Sequence, residues 1–549
     1  MVAEAASAEP SLQLALRAVW QDRFCRSLLI AGVALHLLLA FSFHLSPDET
    51  HYALYSVNPA WSYFDHPPLS GWVQWPFSHL PVFGASDVAM RIVPMVCWLL
   101  AAWLLPAFTF VLYGRAMAPS ATDVPLLRGA LLLLWLAPMA HLLGLALVPD
   151  TLLMPLVLVV MLLTWRLCDP ARVRQWQRWM LLGLVLGLAG LTKYTAIFIG
   201  LGAALALLLA HGGRVLTLPG AWLGIAVAGL MITPVIAWNA THEWISLAYQ
   251  SGHAAGSQEW LLRRVVVYKL VQLLGYGALL VVGMVACIGM RRTVPAATAS
   301  SAAASGVARA PGTLSPLALC LCFGVPPMLL LVFLSGRGST LPHWSVSAWL
   351  ALTPAAAAGC LALWQQRTPV ARRWLAGWGA FQALCVAGLL ALMVASGLQR
   401  EDGDGAQSLP GKVPASASFN PFTDLYGWDA AAVRARTLAE NNGNPTLAVM
   451  NWTLASRIAW YAKAPTKVVQ RHLDQFGLWW GVLQPGENAL VVDWSQMSFA
   501  PPVGAKEFER CDLIGQQPVM RLGRQVAHFN FQLCKNWQGP KENALDRRK

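Results

Sequence analysis

The chain has 549 residues, 56% of them hydrophobic and only 12% charged, with 26 tryptophans and a formal net charge of +13. A soluble globular chain carries about 25% charged residues; half that share, with apolar runs recurring at roughly 17–25 residues, excludes a soluble domain and reads as a multi-span helical membrane protein. Nor does the positive charge read as nucleic-acid binding, because the arginines sit in short clusters between apolar runs, as in cytoplasmic loops.

Taken in order, the chain begins with a polar, mildly basic stretch containing Arg17, Arg23 and Arg26, which predicts a cytoplasmic N-terminus. The first apolar run, Ser27 to Leu45, is followed by Pro-Asp-Glu rather than by a small-residue cleavage site, so it reads as a retained span. It delivers a first extracytoplasmic loop, 46–88. Further spans are predicted at about Val88–Tyr113, Gly129–Leu147 and Thr151–Leu167, the last leading into the basic cluster Arg166, Arg172, Arg174 and Arg178. Trp179 to Gly212 is long for one span and short for two. Charge parity favours two, with Lys193 between them on the outer side, because Arg214 and Arg291–Arg292 then fall inside. Spans follow at Pro219–Trp238, Val265–Met290, Ser315–Leu334, up to Arg367, and Trp374–Leu398. Residues 293–314, rich in Ala, Ser, Gly and Pro, read as a flexible cytoplasmic linker.

The expected fold is therefore an all-α membrane domain of about eleven transmembrane helices over residues 1–399. A change of composition near 400 predicts a small extracytoplasmic α/β domain, 400–549, with strand-like runs at Leu447–Met450 and Ala489–Val492 and a helical stretch from Asp429 to Glu440. Most of the ten cysteines lie in apolar runs and read as small hydrophobes. Cys511 and Cys534 lie in the polar C-terminal part and are the candidates for a disulfide in an oxidising compartment.

Polar chemistry collects on the predicted outer side. Asp48, Glu49, His51 and Tyr55 follow the first span; Asp65 and His66 precede Pro67–Pro68; Asp150 follows the third span; Lys193–Tyr194 break the long run; Arg263, Arg264 and His343 lie in later outer loops. Such a set has two halves. Carboxylates can take a proton from an attacking hydroxyl. Cations can hold a phosphate by charge-assisted hydrogen bonds and stabilise it as it leaves. Each member alone has a structural explanation: a helix-end carboxylate pair, a histidine and tyrosine one turn apart, a lysine reaching for the interface. Agreement on one side of the membrane is what points to a site, and the expectation is that the anionic and cationic groups share one pocket. No P-loop or dinucleotide-binding glycine pattern is present. ATP and nucleotide sugars are confined to the cytoplasm, so an activated donor on the outer face would be lipid-borne. The sequence requires no cofactor; Asp48, Glu49 and His51 are the groups that would hold a divalent cation.

At Asp48–Tyr52, Tyr63–Leu69, Pro149–Asp150, Gly190–Tyr194, Pro234–Trp244 and Leu341–Trp344 the chain resembles the GT-C superfamily of membrane glycosyltransferases. It is most similar to bacterial members related to the dolichyl-phosphate-mannose protein mannosyltransferases and the lipid A aminoarabinose transferase. Tyr426–Asp429 resembles the small extracytoplasmic domain of the same relatives. The resemblance implies a polyprenyl-phosphate sugar donor, undecaprenyl-linked, and transfer with inversion to an envelope glycolipid, glycan or protein. It places the essential acid at Asp48 in a bacterial inner-membrane enzyme. It also marks a departure: relatives often carry Lys where this chain has His66, so the donor-phosphate role falls to His66, Lys193, Arg263 or Arg264. The rival readings are a lipid-linked sugar flippase, which would show internal repeats and midplane polar groups, and an assembly protein acting through its C-terminal domain.

Overall fold

A computed structural model describes residues 11–114, 119–255, 259–293, 314–338, 340–366, 368–395, 422 and 424–548. Most of the predicted linker, 294–313, and the stretch 396–421 around the predicted domain join lie outside the described residues. Contacts group the chain into two compact units. The first comprises Met1–Leu38, His66–Ser70 and Arg91–Ala387; the second comprises Leu39–Asp65, Gly71–Met90 and Gly388–Lys549.

The first unit is helical. Among the described residues of the whole chain, eight helices are long and apolar enough to cross a bilayer, or ten if each of two bent helix pairs is one span. The predicted segment before Lys193 is the 17-residue helix Trp176–Thr192, which is not among those ten. Both bends have local causes. Between Val124–Trp135 and Pro138–Leu145 the chain turns by 70°, because Pro138 disfavours helical geometry in the residue before it. The freed Trp135 carbonyl accepts from His141 Nε2 at 2.7 Å, which meets the demand that backbone groups at membrane depth be paired. Between Leu262–Tyr276 and Ala278–Gly289 the turn is 94°; Gly277 has φ +107, a conformation that only glycine adopts freely.

The long run Trp179–Gly212 resolves into two helices, Trp176–Thr192 and Ile197–His211, separated by extended Lys193 (φ −158, ψ 142) and a short 3-10 turn. Trp176–Thr192 lies against Pro219–Thr241 at a glycine contact. A Cβ on Gly183 would meet the Gly224 carbonyl oxygen at 2.2 Å, the close backbone approach that small residues permit between membrane helices.

The second unit carries one five-stranded sheet. Its strands are β1 Thr446–Val449, β2 Thr466–Val468, β3 Ala489–Trp494, β4 Phe508–Arg521 and β5 Arg524–Trp537, in the order β2-β1-β3-β5-β4. β1 runs parallel to β2 and β3, while β5 is antiparallel to β3 and β4. Every residue of β3 is buried, the pattern of a strand covered on both faces. Helices Trp428–Asn441 and Trp452–Ala462 pack on the sheet. Cys511 and Cys534 are register partners on β4 and β5, and their sulfurs are bonded. Trp452–Ala462 also packs against helix Pro47–Val57 from the first loop, so this compact unit is wider than the segment 400–549.

Candidate active site

Helix Pro47–Val57 follows directly on the first span and starts with a capping box. Ser46 N–H donates to Glu49 Oε2 at 2.9 Å, and Glu49 N–H donates to the Ser46 hydroxyl at 3.4 Å. Pro47 occupies the first helical position, where its missing N–H costs nothing. Glu49 is thus buried and committed to the helix terminus. Asp48 beside it is half-buried, and it lies in the field of Arg457. Arg457 is fully buried in helix Trp452–Ala462. It donates to Asp424 and lies over the Trp428 ring at 4.4 Å, while Nε and Nη1 have no hydrogen-bond partner. Burial lowers its pKa, against the opposing pull of Asp424, Tyr461 and Asp48.

His51 and Tyr55, four apart, share a face of the same helix, and both reach Asp65. His51 Nε2 is 3.0 Å from Asp65 Oδ2, and the Tyr55 hydroxyl donates to Asp65 Oδ1. Tyr63 stacks on Tyr55 at 3.5 Å between centroids and donates to the Tyr55 carbonyl at 2.8 Å. The second unit adds Trp452, Phe476 and Trp479 around the imidazole. Burial alone would lower the His51 pKa, but Asp65 first, then Asp48 and Asp474, outweigh it and hold the imidazole above its ordinary 6.5. Tyr55 is held well above its ordinary range, by burial first and then by Asp65, so it remains a donor.

In the first unit Asp150 starts helix Pro149–Leu167 and is 1% exposed. Its Oδ2 accepts from Lys193 Nζ at 2.7 Å and lies 3.7 Å from His343 Nε2. Lys193 Nζ also sits 5.0 Å over the Trp344 ring. A buried cation is costly unless paired, and this one is paired at the helix break that the sequence marks. Lys193, Tyr194 and Asn239 border a cavity of ≈ 810 Å³ whose remaining lining is almost wholly apolar, from Trp176–Thr192, Ile197–His211 and Pro219–Thr241. Asn239 Nδ2 donates to the Tyr194 hydroxyl at 3.4 Å.

The sequence candidates thus separate into three groups. In the second unit His51 and Tyr55 gather on Asp65, with Asp48 in the field of Arg457; in the first, Lys193 and His343 gather on Asp150, and Lys193 and Tyr194 border the cavity. His66, half-buried, belongs to the first unit. The third group serves local structure: Glu49 caps its helix, Arg264 donates to the carbonyls of Glu259 at 2.7 Å and Gly336 at 3.4 Å, and Arg263 is exposed. Among the described residues no three His, Cys, Asp or Glu side chains gather as a metal site requires. With Glu49 in the cap and His51 on Asp65, the trio Asp48, Glu49 and His51 does not present a ready set of ligands. The sequence reading missed the Ser46-Pro47-Asp48-Glu49 capping pattern, which was legible. It also missed Arg457, whose signal is a charge on the apolar face of a helix.

Residues 65–238 match the dolichyl-phosphate-mannose-protein mannosyltransferase family. No curated protein matches the chain. Two solved structures of ArnT from Cupriavidus metallidurans have a similar fold, one bound to undecaprenyl phosphate and one in the apo state. Their TM-scores are 0.55 and 0.52, each at 15% identity, covering 92% of this chain and 97% of the other. The family match over residues 65–238 and the likeness of fold over 92% of the chain agree with each other: the chain is similar to the mannosyltransferase family along that stretch and has an ArnT-like fold.

Proposed function

We propose that the protein transfers a sugar from a polyprenyl-phosphate donor, undecaprenyl-linked, to a hydroxyl or phosphate of an envelope glycolipid, glycan or protein, with inversion, on the outer face of a bacterial inner membrane. The single observation that carries this reading is the apolar cavity bordered by Lys193, itself paired with the buried Asp150. An isoprenoid chain needs an apolar slot; its phosphate needs a cation where the slot ends. An ammonium has three donors, and Asp150 takes one. Lys193 retains donors for a phosphate oxygen, and its charge stabilises the phosphate as the glycosidic C–O bond breaks. His343 adds a second donor there when protonated.

In this reading Asp48 takes the proton from the acceptor hydroxyl as its oxygen bonds to the anomeric carbon, and polyprenyl phosphate departs. The charge of Arg457 acts on Asp48 from within the same unit. Asp65, locked by His51 and Tyr55, positions the acceptor. The cytoplasmic N-terminus and the extracytoplasmic C-terminal segment belong to the same reading, and the Cys511–Cys534 bond supports it, since structural disulfides persist in oxidising compartments.

The test is transfer from a radiolabelled undecaprenyl-phosphate sugar by reconstituted protein. Asp48→Asn should abolish transfer, by at least about a hundred-fold for a lost general base, with donor binding intact. Lys193→Ala should instead weaken donor binding. Wild-type turnover in Asp48→Asn would refute the base assignment, and movement of labelled lipid across the bilayer without transfer would favour the flippase.

A further inference from the structure

A second cavity, ≈ 560 Å³, lies wholly within the second unit. Its walls are Phe41–His44 at the exit of the first span, Ser86–Val88 at the entry to the next, the Tyr426–Asp429 region and the end of β4 around Arg521. Its charges are only partly used. Asp87 already accepts from the Tyr461 hydroxyl at 2.7 Å. His44 Nε2 stands 3.6 Å from Asp429 Oδ1, and the Asp429 side chain remains 66% exposed. Arg521 lies over the Tyr426 ring at 4.1 Å, has no ion pair among the described residues, and its buried Nε has no hydrogen-bond partner.

The surface beside this cavity is apolar where a soluble domain would be polar. Phe41 is 75% exposed, Met520 55% and Leu522 74%. Leu522 and Gly523 form the two-residue hairpin loop between β4 and β5, with φ +47 and +76. Such a loop favours Asn-Gly, and a branched apolar residue at positive φ is strained. A strained, exposed leucine flanked by Arg521 and Arg524 has the make-up of a tip set into a membrane interface, apolar group in the lipid and cations among the headgroups.

We propose that this cavity binds the headgroup of a zwitterionic, amine-bearing phospholipid of the surrounding bilayer, with the phosphate on Arg521 and the ammonium on Asp429. The mixed charge selects the ligand. A soluble anion would meet the carboxylates of Asp429 and Asp87 as well as the guanidinium. A headgroup carrying both signs satisfies Arg521 and Asp429 together, and its acyl chains continue over Phe41 and Met520. The volume lies in the usual range for small-ligand sites, about 300–1,000 Å³. Bound lipid would anchor the hairpin tip to the bilayer whether or not sugar is being transferred, so this proposal is tested independently of the proposed function.

The experiment uses the full-length protein in nanodiscs containing a phosphatidylethanolamine with a photoreactive headgroup-proximal label, read by mass-spectrometric mapping. Label is expected on residues 41–44 and 518–522. Arg521→Gln should lower it about ten-fold, as for a lost charge-assisted phosphate contact. Arg521→Lys should recover part of it, which separates loss of binding from loss of fold. A phosphatidylglycerol probe, which lacks the amine, should label several-fold less, and Asp429→Asn should erase that preference. Excess inorganic phosphate should not compete. Undiminished label in Arg521→Gln, equal labelling by the two lipids, or full competition by phosphate would overturn the assignment, the last by making the cavity a site for soluble anions.

Discussion

Asp65 reads in the sequence as one acid among several, yet it is the one on which His51 and Tyr55 converge. The pairing has a titration consequence with a definite sign. The folded pKa of His51 is raised above 6.5, so the ion pair is fully present below that value and is lost as pH rises through the raised one. Transfer is expected to decline on the alkaline side with one group deprotonating, and His51→Gln should flatten that limb of the pH–rate profile. An unchanged alkaline limb in His51→Gln would assign the limb elsewhere. Glu49 gives the contrasting case, a carboxylate beside the proposed base that serves the helix. Glu49→Gln can still accept from the Ser46 N–H, so transfer should stay within about two-fold of wild type, whereas Glu49→Ala should cost about 1 kcal/mol of stability, as lost caps do. Thermal melting and turnover of the three proteins check both statements.

At the scale of elements, breaks in helices place the polar groups. Lys193 sits where Trp176–Thr192 ends. His343 and Trp344 sit in the turn Pro342–Ser345, which the buried side chains of Gln272 and Tyr276 hold; the Tyr276 hydroxyl lies 3.2 Å from the Pro342 carbonyl oxygen. Gln272 Nε2 donates to the Pro342 carbonyl at 2.9 Å, and its Oε1 accepts from the Ser345 hydroxyl and from Trp349 Nε1, each at 2.5 Å. Gln272→Leu is close in size but takes the acceptor from Trp349 Nε1, at about 1–3 kcal/mol for a buried group left unpaired, while the Pro342 carbonyl keeps Tyr276 and Ser345. The turn should loosen, and the donor KM should rise several-fold with a smaller change in kcat. A loss of kcat alone would show that the turn does not serve donor binding. The break at Trp135 works differently: His141 returns the carbonyl's hydrogen bond and the bend becomes affordable.

Across the whole molecule, the second compact unit draws on three separate stretches of chain, so helix Pro47–Val57 of the first loop packs on helix Trp452–Ala462, which covers the C-terminal sheet. The sheet is cross-linked between strands already paired in register, closing a sequence separation of 23. A loop of that size is worth at most about 3 kcal/mol, because β4 and β5 already restrict it. Cys511→Ser with Cys534→Ser should therefore lower the melting temperature of this unit while the protein still inserts in the membrane. An identical melting curve for wild type with and without reductant would show that the bond adds nothing to stability.

The succession of spans was legible in the residues themselves, because length and hydropathy are local properties and a bilayer demands both. Their interruption at Lys193, the change of composition near 400 and the candidacy of Cys511 and Cys534 could be read for the same reason. The partners of the charged groups could not. Asp65 meets a histidine 14 residues before it; Lys193 meets an aspartate 43 residues away; Arg457 acts on an Asp48 from the other end of the chain. Whether a carboxylate caps a helix, neutralises a buried cation or stands ready as a base depends on which charges lie within a few ångströms in a medium of low dielectric. Only the folded chain sets those distances, which is why Glu49 and Asp48, neighbours of the same chemical type, stand in different surroundings, one in the helix cap and one in the field of Arg457.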